Sequence, residues 1–260
     1  IKNVLLSIKL LTWYRRFVPE PIRLRIRQVL LWSDNHLTLL RVNKIMKNYE
    51  GSKLNLVGFV KFFNEGENGN LERCLRHLSR FCNNMVLCDD GSTDNSVQIA
   101  EKYTKNIITT PHDFKRELLH KQKLLEYALS LDPDWIVWLD ADETFDRVAE
   151  LGGIRSLCRY GDEHGVDSFS FRYYNPWKGM TAYRVDGLWN MLWQPKLWKN
   201  NGRLKFHVQE GLHLQQYPTG LARCKKTDIK VLHYGFSSEE LVKRKYDTYK
   251  SVGQSGRWLE

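Results

Sequence analysis

Hydrophobic and polar positions fall into alternating blocks along this chain, and the blocks change character after Gly51-Ser52. Leu54 to Phe63 is a mostly apolar run that empties into Asn64-Glu65-Gly66-Glu67, the pattern of a strand and its exit loop. Leu71, Cys74, Leu75, Leu78 and Phe81 then recur at helical spacing. Met85 to Cys88 reads as a second strand. It ends in Asp89-Asp90-Gly91-Ser92-Thr93-Asp94-Asn95-Ser96, where Gly91 allows a tight turn and Ser92, Thr93 or Asp94 can cap a helix starting near Ser96. Asn106 to Thr109 predicts a third strand and Glu117 to Leu129 a helix. The apolar run Trp135 to Leu139 is short enough for a strand buried on both faces. Strand and helix alternate three times over this stretch, which predicts an α/β fold with a mostly parallel sheet flanked by helices.

The run Trp135 to Leu139 empties directly into Asp140, Asp142 and Glu143. Such charges are costly to bury unpaired, and ligands of open α/β sheets gather beyond the carboxyl ends of the strands. Asp-x-Asp at a strand end puts both carboxylates on one side. Hard oxygen donors of this kind suit Mg²⁺ or Mn²⁺ together with a substrate diphosphate.

Charge adds an N-terminal feature. The net charge is +10, and residues 1–50 carry ten Lys and Arg against Glu20, Asp34 and Glu50, so this segment alone holds +7. It is also rich in Leu, Ile and Trp, and Pro19 and Pro21 divide it into two stretches that can each form an amphipathic helix. Such a helical extension suits either an anionic membrane surface or packing on this domain or a second subunit. No base-stacking or groove-reading module accompanies the charge, so nucleic acid is not expected as a partner. The expected organisation is a basic helical extension over 1–50, a catalytic domain over 51–236 and a C-terminal helical segment over 237–260. Within the last, Ser238 to Lys250 is a polar, basic helix expected to cover the edge of the cleft.

With 42% hydrophobic and 27% charged residues the composition is that of a soluble globular chain. Cys74, Cys82, Cys88, Cys158 and Cys224 are odd in number and lack Cys-x-x-Cys spacing, which argues for reduced thiols and a cytoplasmic location, at most at the cytoplasmic face of a membrane. No apolar run approaches the roughly 18 residues of a spanning helix. Ile1 in place of an initiator Met reads as a fragment or trimmed chain, so an upstream targeting signal stays open.

Asp89-Asp90-Gly91-Ser92-Thr93-Asp94, followed by Asp140-Ala141-Asp142-Glu143 and preceded by Asn64-Glu65, resembles glycosyltransferase family 2 of the GT-A type, over roughly residues 54–236. The resemblance implies a Rossmann-like GT-A sheet and a metal-dependent, inverting transfer of a sugar from a nucleoside-diphosphate donor, UDP first, to a glycan or lipid-linked acceptor, as in cell-envelope polysaccharide synthesis. It places Asp89 at the base and ribose of the nucleotide, or Asp90 instead, with Asn64 and Glu65 lining that pocket and Asp140 and Ala141 completing it. Asp142, with Asp140, would hold Mn²⁺ or Mg²⁺. The run Ile229 to Gly235 is a short apolar strand carrying His233, and a His at this place in related enzymes completes the metal or diphosphate site.

The chain also departs from the family pattern. Lys121-Gln122 stands where many members have Arg-Asn, so Lys121 would meet a phosphate as a point charge without a bidentate fork, and Arg116 or His120 can substitute. Gln209-Glu210 stands where the family usually reads His-Glu. Glu210 is the candidate general base, ahead of His207 and His213. Beyond Glu143 the chain reads as irregular and aromatic, with Tyr173, Tyr174, Trp177, Tyr183, Trp189, Trp193 and Trp198, of which one or two are expected to line the acceptor cleft. Two other functions fit less well: a metal-dependent nucleotidyltransferase, whose Gly-rich phosphate loop is not evident after the first strand, and a catalytically silent glycan-binding or scaffold module.

Overall fold

The computed structural model describes residues 54–186, 189, 192–211 and 214–251. The basic extension 1–50, His213 and residues 252–260 lie outside the described residues. The described chain builds one nine-stranded sheet in the order β3-β2-β1-β4-β8-β6-β9-β5, with β7 paired to β6. Its first four strands, β1 (Leu56–Phe62), β2 (Asn84–Asp89), β3 (Ile107–Thr109) and β4 (Trp135–Trp138), are parallel neighbours.

Alternation along β1 explains why the strands are apolar throughout. Leu56, Val60 and Phe62 pack on one side with Leu71, Leu75 and Leu78 of α1 (Asn70–Leu78), while Val57 and Phe59 pack on the other with Leu124, Leu125 and Ala128 of α3 (Glu117–Ser130). A strand covered on both faces has no solvent side to alternate with. Gly91 has φ +75°, as the turn after β2 requires, and the helix that follows, α2 (Ser96–Ala100), is short. Its start is held by Asp94, whose Oδ1 accepts from Ser96 N at 2.9 Å.

Beyond Glu143 the structure corrects the expectation of irregular chain. Residues here form β5 (Glu143–Phe145), α4 (Ile154–His164), β6 (Ser168–Pro176), β7 (Tyr183–Arg184), β8 (Trp193–Lys199) and β9 (Cys224–His233). The reason is that β6 buries polar residues, Ser168, Ser170 and Asn175 among them, so its hydrophobic pattern is interrupted without the strand being lost. Strand β8 runs antiparallel to β4, and β9 runs parallel to β6 and antiparallel to β5. That pairing places His233 beside Glu143 in register and brings the end of β9 to the end of β4. The last described helix, α5 (Glu239–Ser251), follows a short turn at Tyr234–Phe236.

Candidate active site

The carboxyl ends of β1 and β4, the start of α3, the end of β9 and helix α5 enclose a cavity of about 480 Å³. Lys61, Phe63, Asn64 and Glu65 line it from β1 and its exit loop, Asp140 and Asp142 from the segment after β4, and Arg244, Lys245, Thr248 and Tyr249 from α5. Phe114, Glu117, Gln216 and His233 complete the wall. Its size is that of a small-molecule site, and its position beyond parallel strand ends is where α/β sheets bind ligands. Helix α5 covers the cleft, as its basic, polar sequence predicted.

Every acid after β4 meets a cation. Lys196, fully buried in β8, stands 2.7 Å from Glu143 Oε2 and 3.3 Å from Asp140 Oδ2, with its ammonium 3.3 Å from the centroid of the Trp138 ring. Glu143 Oε2 also accepts from Asp140 N at 2.9 Å, which fixes the turn. Burial nevertheless pushes the Glu143 carboxyl up, outweighing Lys196. Asp140 keeps 40% of its side chain exposed, with Lys121 Nζ 3.9 Å from Oδ1. Burial opposes its charge, but Lys196 and then Lys121 hold the carboxyl below its usual range. Lys121 is only 1% exposed, bonds Gln216 at 2.7 Å and Glu117 at 3.2 Å, and lies 4.3 Å over the Trp138 ring. It is thus a buried charge beside Asp140 and no solvated surface lysine. Arg116 instead is exposed and faces Asp113 and Glu210, and His120 is buried against Asp90.

Asp142 faces a histidine and an ammonium. Its Oδ2 lies 3.1 Å from His233 Nε2 and 2.8 Å from Lys245 Nζ. Burial opposes the charge of Asp142, and Lys245 and His233 overcome this to hold its carboxyl well below the usual range. On the far side of the ring, His233 Nδ1 is 2.8 Å from Asn175 Oδ1, and Nε2 is 3.3 Å from Lys245 Nζ. The ring thus stands between Asn175 on its Nδ1 side and the Asp142 and Lys245 side chains on its Nε2 side. Ligand histidines are oriented in this way from behind. Among the described residues no three His, Cys, Asp or Glu groups converge as a ready metal cage. Asp142 Oδ2 and His233 Nε2 nonetheless present two donors at a spacing that one divalent ion spans, so the residues present fit such an ion at this pair.

The expected nucleotide residues divide. Asn64 and Glu65 do line the cavity, but both are committed to loop structure. Asn64 Oδ1 accepts from Thr93 N at 2.7 Å, tying the β1 exit loop to the β2 exit loop. Glu65 Oε2 accepts from Asn68 and Asn70 at 2.8 and 2.9 Å, and Oε1 pairs with Arg244. Burial first, then the charge of Asp142, push the Glu65 carboxyl up. Asp89 is buried, is not among the cavity-lining residues, and caps its own turn through Ser92 N at 2.9 Å. Asp90 is fully buried behind the wall, with Lys61 at 2.8 Å and His112 at 3.1 Å on Oδ2, and Thr110 at 3.2 Å and His120 at 2.8 Å on Oδ1. Its Lys61 does reach the cavity. Beside it, the Phe63 and His112 rings stack at 3.6 Å, with Phe114 edge-on.

Three further expectations change. Ala141 packs into the hydrophobic core and is not among the cavity-lining residues. Glu210 stands at the rim, its side chain 69% exposed and 3.4 Å from Arg116 Nε, close to the Phe114–Glu117 stretch that enters the wall. None of the seven aromatics expected near the acceptor is among the cavity-lining residues. Trp198 is core beside Trp138, and Trp177, Trp189 and Phe236 form their own cluster. Lys196, Arg244 and Lys245 were not anticipated from sequence. Lys196 had one signal, a lysine inside an otherwise buried strand, which must find a partner.

Together these features define an α/β protein whose strand ends carry an electrostatically built small-molecule site. The chain belongs to Glycosyl transferase family 2, whose sequence model matches residues 59–214, and its sheet is the Rossmann-like, GT-A type arrangement that the resemblance implied. It is similar to the SPbeta prophage-derived glycosyltransferase SunS of Bacillus subtilis (strain 168), at 21% identity over 216 residues, 82% of this chain and 47% of that protein. The SunS of Bacillus phage SPbeta matches equally. The chain therefore spans about half the length of the curated relatives it matches. Similar solved structures include S. aureus TarS (TM-score 0.47, 13% identity, 79% of this chain and 41% of that one). Another is the mannosyltransferase PcManGT from Pyrobaculum calidifontis, in complex with GDP-Man and Mn²⁺ (TM-score 0.34, 15% identity, 55% and 44%).

Proposed function

We propose that this protein transfers a sugar, with inversion, from a nucleoside-diphosphate donor to a hydroxyl of a glycan or lipid-linked acceptor, with UDP as the favoured nucleotide. The observation that carries this reading is the Asp142–His233 pair, backed by Asn175 and set with Lys245 and Arg244 at the wall of one cavity. Mn²⁺ or Mg²⁺ bound at Asp142 and His233, with Asp140 nearby, would neutralise charge on the diphosphate as it leaves.

The chain's own residues supply the rest. Phe63 and Phe114 offer ring faces to the nucleotide base, and Asn64 and Glu65 shape that end through the loops they tie. Asp89 and Asp90 act from behind the wall, Asp90 by holding Lys61. Ala141 acts only by spacing Asp140 from Asp142. Lys121, fixed beside Asp140 in a partly dehydrated setting, adds positive potential without a bidentate fork. Glu210 at the rim takes the proton from the acceptor hydroxyl as its oxygen attacks. The basic extension 1–50 is assigned to an anionic membrane surface at the cytoplasmic face or to a second subunit. Among the described residues no helix is long and apolar enough to cross a membrane.

The test is release of nucleoside diphosphate from UDP-, GDP- and dTDP-sugars with Mn²⁺, in the native protein and in Asp142→Ala. Release by the native protein and loss in the variant is expected. Full turnover in the variant would sink the assignment, and release of pyrophosphate instead would point to nucleotidyl transfer.

A further inference from the structure

Lys245 lies outside the stretch that defines the family and reaches the site on helix α5. The helix is anchored in the turn that leads into this lysine. Val242 packs with Phe236, and Arg244 pairs with Glu65 and donates to the Asn64 carbonyl at 3.2 Å. Room for the ammonium comes from Gly235, where a Cβ would lie 2.3 Å from both Asp142 Oδ2 and Lys245 Nζ. His233 Nε2 and Asp142 Oδ2 are 3.1 Å apart. Lys245 Nζ reaches both, 2.8 Å from the oxygen and 3.3 Å from the nitrogen.

A divalent ion bound by the same oxygen and the same nitrogen needs the place the ammonium holds, so both cannot bind there together. We propose that Lys245 and the divalent ion compete for the Asp142–His233 seat, and that the displaced ammonium then binds the diphosphate of the donor. Helix α5 thereby links metal entry to donor binding: the ion that takes the seat frees a positive charge inside the cavity for the phosphates. The competition stands on the geometry alone; the second role rests on the nucleotide-sugar reading.

The experiment is Mn²⁺ titration followed by electron paramagnetic resonance without nucleotide, on the native protein, Lys245→Met and Lys245→Arg, with calorimetric UDP titration at saturating Mn²⁺ alongside. Lys245→Met should bind Mn²⁺ about tenfold tighter, the scale of one charge-assisted hydrogen bond no longer broken, while Lys245→Arg, which keeps the competing charge, should not. At saturating Mn²⁺, Lys245→Met should bind UDP about tenfold more weakly, and Lys245→Arg should recover part of the loss. Equal or weaker Mn²⁺ binding by Lys245→Met overturns the competition, as does absence of Mn²⁺ binding in every variant. Unchanged UDP affinity overturns the second role. If no variant, nor the native protein, binds UDP at all, the glycosyltransferase reading fails while the Mn²⁺ comparison still decides the competition.

Discussion

Lys196 Nζ sits 2.7 Å from Glu143 Oε2, and both side chains are sealed from solvent. This pair, joined by Asp140 at 3.3 Å, sets the turn from which the site's carboxylates project. Removing one member of a buried pair leaves an uncompensated charge, so Lys196→Met should lower stability by about 3–5 kcal/mol. Adding Glu143→Gln should return part of it. Urea unfolding of both variants checks this, and a loss below about 1 kcal/mol, the scale of an exposed pair, would contradict it.

Gly235 is the one position in the turn before α5 where a methyl group would strike Asp142 and Lys245 together. Gly235→Ala should therefore crowd the Asp142 oxygen that faces His233 and weaken binding of UDP with Mn²⁺ by about tenfold, one charge-assisted contact's worth. The melting temperature should move little, because the atoms struck are the ends of side chains. Calorimetric titration and a thermal scan measure the two effects, and unaltered UDP affinity would show that Asp142 is not part of the binding surface.

Asn175 positions His233 and touches neither metal nor substrate. Such residues behind a ligand histidine typically contribute about 10–100-fold to metal affinity. Asn175→Ala should weaken Mn²⁺ binding by that scale with the fold retained by circular dichroism. Native-like affinity would place the metal elsewhere.

His77 gives the fold a pH dependence. Its Nδ1 meets Glu150 Oε1 at 2.8 Å and its Nε2 accepts from Phe145 N at 3.1 Å, so protonation would break a bond to β5. Burial lowers the imidazole below its ordinary 6.5, more than Glu150 raises it. The folded state therefore favours neutral imidazole: the stabilisation is complete above the unfolded value and is lost as pH falls below 6.5 through the folded value. His120 is lowered too, again by burial, against the opposing pull of Asp90. Stability should decline as pH falls from 7 to about 5, and His77→Gln should flatten part of that decline. An identical pH profile in the variant would remove His77 from the account.

The sequence foretold the site where local pattern and chemistry coincide. The apolar run before Asp140 was short enough for a strand buried on both faces, and the acids after it pointed to a positive partner. The basic helix over Ser238 to Lys250 announced a cover, found as Glu239–Ser251. What was illegible depended on distant partners. Strand β6 hides its period because Ser168, Ser170 and Asn175 are buried polar residues. Asp89 and Asp90 look interchangeable in the chain, yet Asp90 is enclosed by Lys61, His112, Thr110 and His120 while Asp89 caps its own turn. Lys245 carries no local signature at all; only the fold brings it to Asp142.

The central claim is that one cation seat at Asp142 and His233 serves a nucleoside diphosphate in the adjoining cavity. Anomalous diffraction from crystals grown with UDP and Mn²⁺ tests it most directly. A manganese peak within about 2.0–2.3 Å of Asp142 Oδ2 and His233 Nε2, with a diphosphate oxygen on the same ion, is the predicted result. Manganese bound elsewhere, or UDP outside this cavity, would contradict the account.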